Sequence, residues 1–282
     1  MEFIIWCIVS IIMSTERNDS QVLSPMEQRV YLIAARSRII TLDDIRDVAP
    51  RYATARTVMS RLAKKGYLLR IRPGLYAAIP PESIGREYRP DRFLIADHAM
   101  GSMGAIAFHS ALELHGVAHS YFNTVYYLSE RSARPFEHQA TIYRFVREAN
   151  LFGTVTISRE GVPLRVTDRE RTFLDCIRRP EYCGGLEELV KSVGGFSLLN
   201  PLRLQDHLRR FGEQSLNQRT GVMLGLVRER LRMPDEFLER LRLSVGGNVY
   251  YLLPGMKPGN GRLDKEWNVI VPRNIDEVMR SV

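Results

Sequence analysis

Between Thr54 and Lys64 the chain places Thr54, Arg56, Thr57, Ser60, Arg61 and Lys64, with Val58 and Leu62 set among them at helical spacing. On a helix Val58 and Leu62 face inward, so the polar residues lie on the remaining faces. Their chemistry is that of nucleic-acid contact. A guanidinium can bond both acceptors of a guanine edge, and Ser or Thr hydroxyls bond bases or phosphates. Lys65, Arg70 and Arg72 follow at the helix end and on the next segment, where cations would meet phosphates. A solvated helix face has the same composition, so charge distribution has to separate the two readings. Residues 14–80 carry a net +6 of the chain's +8, and everything after them only +3. A basic excess held in one small unit is an electrostatic footprint for nucleic acid.

Other chemistries are poorly served. His109, His115 and His119 suggest metal ligation, but Gly116 breaks the segment and no acid completes an HExxH pattern. They read as structural histidines near a helix end. Asp168, Glu170 and Asp175 suggest paired carboxylates for acid–base work. Thr167-Asp168-Arg169-Glu170 instead reads as a capping box, with Thr167 and Glu170 as its reciprocal partners, and Asp175 is expected on the outer face of the helix that follows. Three cysteines, Cys7, Cys176 and Cys183, are too few for a disulfide framework and form no zinc pattern. A phosphate-binding Gly-Lys pair, an acid two places before a lysine, a GxSxG elbow and a GxGxxG loop are all absent from the sequence. The paired aromatics at Tyr126, Tyr127, Tyr143, Phe145, Tyr250 and Tyr251 fall in strand-like runs and read as core. The expectation is a protein that is not an enzyme and needs no cofactor or metal.

The elements that would position the basic residues are punctuated clearly. Ser24-Pro25 caps a helix over MEQRVYLIAAR. A short extended piece at 38–40 leads to Thr41 and a second helix, LDDIRDVA. The third helix runs over ATARTVMSRLAKK and stops at Gly66. Strands YLLRIR and LYAAI then join through Pro73-Gly74, a type II turn pair. This order predicts a winged helix-turn-helix over 24–81, with the third helix in the major groove. Residues 82–91 read as a linker. From 92 to 282 the pattern alternates capped helices with strands such as NTVYYLS, ATIYRFV, GTVTIS and GVPLRV. The expected fold class is therefore α+β, an N-terminal winged helix-turn-helix followed by a larger mixed α/β domain.

Residues 1–23 read as an extension outside the fold. Its apolar part, 3–13, is too short to span a bilayer, which takes roughly 17–25 residues. It also lacks the basic start of a signal peptide. Met13 opens a polar run and is taken as the true start, with a membrane anchor as the alternative. No membrane partner and a cytoplasmic setting follow.

The ordered segments GYLLRIRPGLYA, FHSALELHGVA, NTVYYLS, VTDRERTFLDCIRRPEYCGGLEEL and YYLLPGMKPGNGRLDKEWNVIVP resemble those of the AbiEi antitoxins of type IV toxin–antitoxin systems. The resemblance covers about Val30 to Pro272. It implies a winged helix that binds inverted repeats in double-stranded promoter DNA and represses its own operon. It also implies a C-terminal domain that counteracts a cognate nucleotidyltransferase-like toxin, and it implies no catalytic residues. By position Arg56, Thr57, Ser60, Arg61 and Lys64 match the family's recognition helix, and Arg70, Arg72, Gly74 and Tyr76 match its wing. A stand-alone regulator whose second domain senses a ligand or mediates assembly would share all of these features.

Overall fold

The computed structural model describes residues 22–196, 198–257 and 259–280. The apolar segment 1–12 and the start expected at Met13 lie outside them. Contacts divide the chain into two compact units, one of residues up to Ser102 with Ser158–Leu164, the other of Met103–Ile157 with the remainder from Arg165. The architecture is mixed α and β, with several helices and three sheets among the described residues. No described helix is long and apolar enough to cross a membrane.

The first unit opens with α1 (Pro25–Ser37), whose start is fixed by a reciprocal cap. Ser24 Oγ accepts from the Glu27 backbone N at 3.3 Å, and the Ser24 backbone N donates to Glu27 Oε2 at 2.8 Å. The chain continues through β1 (Ile39–Thr41) to a 3-10 turn at Asp43–Ile45. An α-helix was expected there. The stretch between Thr41 and Pro50 is too short to offset helix nucleation, and Asp44 Oδ2 is spent on the backbone N and hydroxyl of Thr41 at 2.6 and 2.7 Å. Next come α2 (Tyr52–Lys64), β2 (Leu68–Arg72) and β3 (Leu75–Ala78). The strands form an antiparallel sheet in the order β1-β3-β2. Gly74 at φ 82° supplies the left-handed conformation that a type II turn requires after Pro73. Val30, Ala34, Ile40, Ile45, Val58, Met59, Leu62, Leu68 and Tyr76 pack into one core.

Residues 82–91, expected as a linker, fall within the first unit, which runs on to Ser102. After a 3-10 turn at Pro81–Ser83, Asp91 Oδ1 caps α3 (Arg92–Ala99) by accepting from the Phe93 and Leu94 backbone N at 2.9 and 3.0 Å. Its second oxygen accepts from Arg159 Nε at 2.7 Å. Helix α3 is counted in the first unit, and the units part after Ser102.

A six-stranded mixed sheet, β6-β7-β5-β4-β9-β8, lies mainly in the second unit, with the end of β8 and the start of β9 (Ser158–Leu164) counted in the first. It contains β4 (Gly104–Ile106), β5 (Thr124–Ser129), β6 (Phe136–His138), β7 (Thr141–Arg147), β8 (Thr154–Arg159) and β9 (Val162–Thr167). A Cβ on Gly104 would lie 1.9 Å from the Leu128 carbonyl oxygen, so only glycine lets β4 approach β5. Helix α4 (Phe108–Leu114) follows β4, and α5 (Arg169–Arg178) follows β9. Then come α6 (Gly185–Val193), α7 (Pro201–Phe211), α8 (Gln214–Leu226), α9 (Arg228–Leu231) and α10 (Asp235–Arg242). A small sheet of β10 (Tyr250–Tyr251), β11 (Gly261–Asp264) and β12 (Val269–Pro272) precedes α11 (Ile275–Arg280). Phe173, Leu174, Leu189, Leu204, Met223 and Trp267 anchor its core.

Candidate nucleic-acid interface

Helix α2 buries Ala55, Val58, Met59 and Leu62. At 100° per residue the opposite face is Ala53, Thr57, Ser60 and Lys64, flanked by Arg56 and Arg61. All six of these are exposed, and Thr54 is half-buried at the edge. The helix contains no acidic residue. On the hairpin Arg70 is exposed. Among the described residues, Arg56, Arg61, Lys64 and Arg70 have no carboxylate partner. The structure thus brings five of the expected cations and hydroxyls onto one helix face, with Arg70 on the adjacent hairpin of the same unit.

Two of the expected residues are engaged within the protein. Lys65 Nζ donates to Glu27 Oε2 and to the Val22 carbonyl, each at 2.8 Å. Burial alone would raise the Glu27 pKa, but bonds from Lys65 and Ser24 outweigh it and hold the carboxyl below its ordinary value. Arg72 Nη2 donates to the Ala99 carbonyl at 2.8 Å, in the last turn of α3, and burial lowers its pKa. Both cations sit at a strand or helix end, and each finds an acceptor within the first unit. Thr57 Oγ1 donates to the Ala53 carbonyl at 2.8 Å, so its one proton is already used.

The helix expected from Ala53 starts one residue earlier, at Tyr52, with Arg51 as its N-cap. Both are exposed, and Tyr52 keeps 67% of its surface at the first helical position. A large aromatic left in solvent beside arginines was the signal available.

The other titratable clusters are interior to the second unit. Asp168, not Thr167, caps α5, accepting from the Arg171 backbone N at 2.7 Å. Glu170 therefore sits one place too early to bond back to the cap, and it accepts from the Asn200 backbone N at 2.7 Å. The Thr167 and Thr172 hydroxyls pair with each other at 2.7 Å. Asp168 also accepts from His207 Nε2 at 2.9 Å. Burial raises its pKa, and the bonds from His207 and Arg171 lower it by more.

Asp175 is buried, contrary to the outer face expected for it. Arg171, also on α5 and 0% exposed, reaches it with Nε at 2.9 Å. Burial pushes the Asp175 carboxyl up to about 6 against the pull of Arg171. The Arg171 guanidinium lies 4.1 and 4.3 Å from the rings of Phe152 and Phe211, which meet each other edge to face at 5.1 Å. Arg178 extends the network, donating to Glu148 Oε2 at 2.7 Å and contacting Glu213 Oε1 at 2.6 Å.

His109 is fully buried, stacked on Phe122 at 3.8 Å. Glu113 lies 3.2 Å from Nδ1 and Glu188 lies 3.3 Å from Nε2. The two carboxylates face opposite sides of the ring, and among the described residues no three such side chains converge to hold a metal. Burial would raise the Glu188 pKa, but bonds from Ser120, Ser192 and the His119 backbone hold it down at about 2. His115 Nε2 bonds the Thr167 carbonyl at 2.7 Å, and burial lowers its pKa. Cys176 and Cys183 are buried free thiols.

No family model matches the chain, and no curated protein matches its sequence. Among solved structures, the Rv2827c protein from Mycobacterium tuberculosis is similar to it with a TM-score of 0.65 at 16% identity. The match covers 92% of this chain and 95% of that one. The likeness is one of fold.

Proposed function

We propose that the first unit is a winged helix-turn-helix that binds promoter DNA, with α2 as recognition helix and the β2–β3 hairpin as wing. The observation that carries this reading is the acid-free face of α2, where Arg56, Arg61 and Lys64 stand exposed and, among the described residues, without carboxylate partners. Such a face gives up little when it meets phosphates, because no internal ion pair has to break. We further propose that the chain is an antitoxin. It represses its own operon through this unit and counters a nucleotidyltransferase-like toxin through the second unit, in the cytosol where both partners are made. The support for this part is the ordered set of motifs in the sequence. The most specific of them, TDRERTFLDCIRRPEYCGGLEE, is interior here: Arg171, Asp175, Cys176 and Cys183 are all buried. It therefore supports a shared core rather than a shared contact surface.

The test uses the full chain with Arg56→Ala and Arg61→Ala together. Repression is read with a promoter reporter, and toxin rescue is read by growth beside the neighbouring toxin gene. Repression should fall while rescue persists. Repression unchanged by the double substitution would remove α2 from the DNA interface. Failure of the wild-type chain to rescue would leave a regulator and not an antitoxin.

A further inference from the structure

We infer that Tyr52 is a specificity-determining residue of the DNA interface, packing its ring on the methyl group of a thymine in the major groove. The inference rests on the winged-helix reading above. Tyr52 occupies the first position of α2 and leaves two thirds of its surface in water, although it is among the largest apolar surfaces in its unit. It takes no part in the core built by Val58, Met59 and Leu62. The side chain of a helical residue leans toward the helix N-terminus, the end that recognition helices direct at base edges.

The neighbours argue for DNA as the occupant. Arg51 and Arg56 are exposed beside Tyr52, and no acid lies in the helix's first turn. The contact surface has the charge that complements a duplex. The Thr57 hydroxyl proton is committed to the Ala53 carbonyl, which leaves Tyr52, Arg56 and the half-buried Thr54 to carry discrimination at this end of the helix. An aromatic ring reads sequence through apolar contact with the C5-methyl that distinguishes thymine.

The experiment begins with duplexes selected by the wild-type protein from a random 20-base-pair pool, where about 20 positions give the groove of two helical turns. Each thymine of the selected duplex is replaced in turn by uracil, which removes one methyl and keeps the hydrogen-bonding edge. Affinity is read by fluorescence anisotropy. At one position the wild type should weaken by about fourfold, the value of one buried methyl-sized group. Tyr52→Ala should lose about the same factor on the intact duplex and show no further loss with uracil. Tyr52→Phe should behave as wild type, and Arg56→Ala should stay sensitive to the methyl. An unchanged melting temperature for Tyr52→Ala separates the effect from folding. The assignment is overturned if Tyr52→Ala binds as wild type does, or if its methyl sensitivity persists. Should Arg56→Ala weaken binding while Tyr52→Ala does not, only Tyr52 is excluded. Should the wild type select no sequence at all, the DNA-binding reading falls with it.

Discussion

Lys65 at the end of α2 and Glu27 in the first turn of α1 lie 2.8 Å apart, with Glu27 almost wholly buried and also part of the Ser24 cap. One carboxylate thus fixes the start of one helix and the end of another. The cation thereby positions α2, with two acceptors inside the protein already bound to it. The same logic applies to Arg72, whose guanidinium holds the hairpin to the C-terminal carbonyl of α3.

Lys65→Met should cost about 1–3 kcal/mol of stability, because it takes one hydrogen-bond donor from a buried carboxylate. The folded-state pKa of Glu27 lies below its ordinary value, so the contribution of the pair is present at neutral pH and is lost as pH falls through the carboxylate range. Urea unfolding at pH 7 and pH 4 should show the wild-type advantage over Lys65→Met shrinking at the lower pH. Equal differences at both would remove Glu27 from the account.

Arg70→Ala and Arg72→Ala should part company. Arg70 is exposed on the hairpin, and its loss should reduce the salt dependence of DNA affinity by about one phosphate's worth. Arg72→Ala should instead lower the melting temperature and leave the salt slope unchanged. Anisotropy titrations at several salt concentrations, beside thermal melts, distinguish the two.

Arg56→Ala and Arg61→Ala should each weaken binding to a selected duplex by about 1–3 kcal/mol wherever the guanidinium reads a base. Neither should change stability measurably, since both side chains are exposed and away from the core of α2. A shift in melting temperature would point to a structural role.

Arg171→Ala should be among the most damaging single changes, at about 3–5 kcal/mol, because Asp175 would remain buried with its partner gone. The double variant Arg171→Met with Asp175→Leu should recover part of that loss. Chemical denaturation of the three proteins tests this, and a double variant weaker than Arg171→Ala would count against it.

Glu188 has its pKa held at about 2, below the ordinary 4.5. A depressed carboxylate stabilises the fold above its unfolded pKa and releases that stability as pH falls toward the folded one. Glu188→Gln should lower stability at pH 7 by about 2–3 kcal/mol, since it replaces charge-assisted bonds with weaker neutral ones. The deficit should narrow between pH 4.5 and about 2, where the wild type itself becomes protonated. A deficit independent of pH would assign Glu188 a packing role only.

Local signals alone determined much of this protein. Ser24 with Glu27, Asp91 ahead of α3, Pro73-Gly74 and Gly66 each act within a few residues of themselves, and each does what its chemistry predicts. The periodicity of Val58, Met59 and Leu62 likewise places Arg56, Ser60, Arg61 and Lys64 on the outer face of α2, because burial on a helix is set by angle. Tertiary structure decided which polar groups are free. Lys65 and Glu27 are 38 residues apart, and Arg72 and Ala99 are 27 apart, so no local pattern reveals that these cations are already engaged. Asp175 falls at a helix position that looks exposed until α7 and α8 pack against α5 and Arg171 supplies the counter-charge. Strands β4 and β6 are too short to show a period of two and form only because β5 and β7 are there to pair with them. A backbone hydrogen bond or an ion pair across such distances depends on where the chain returns, and that is a property of the packed fold.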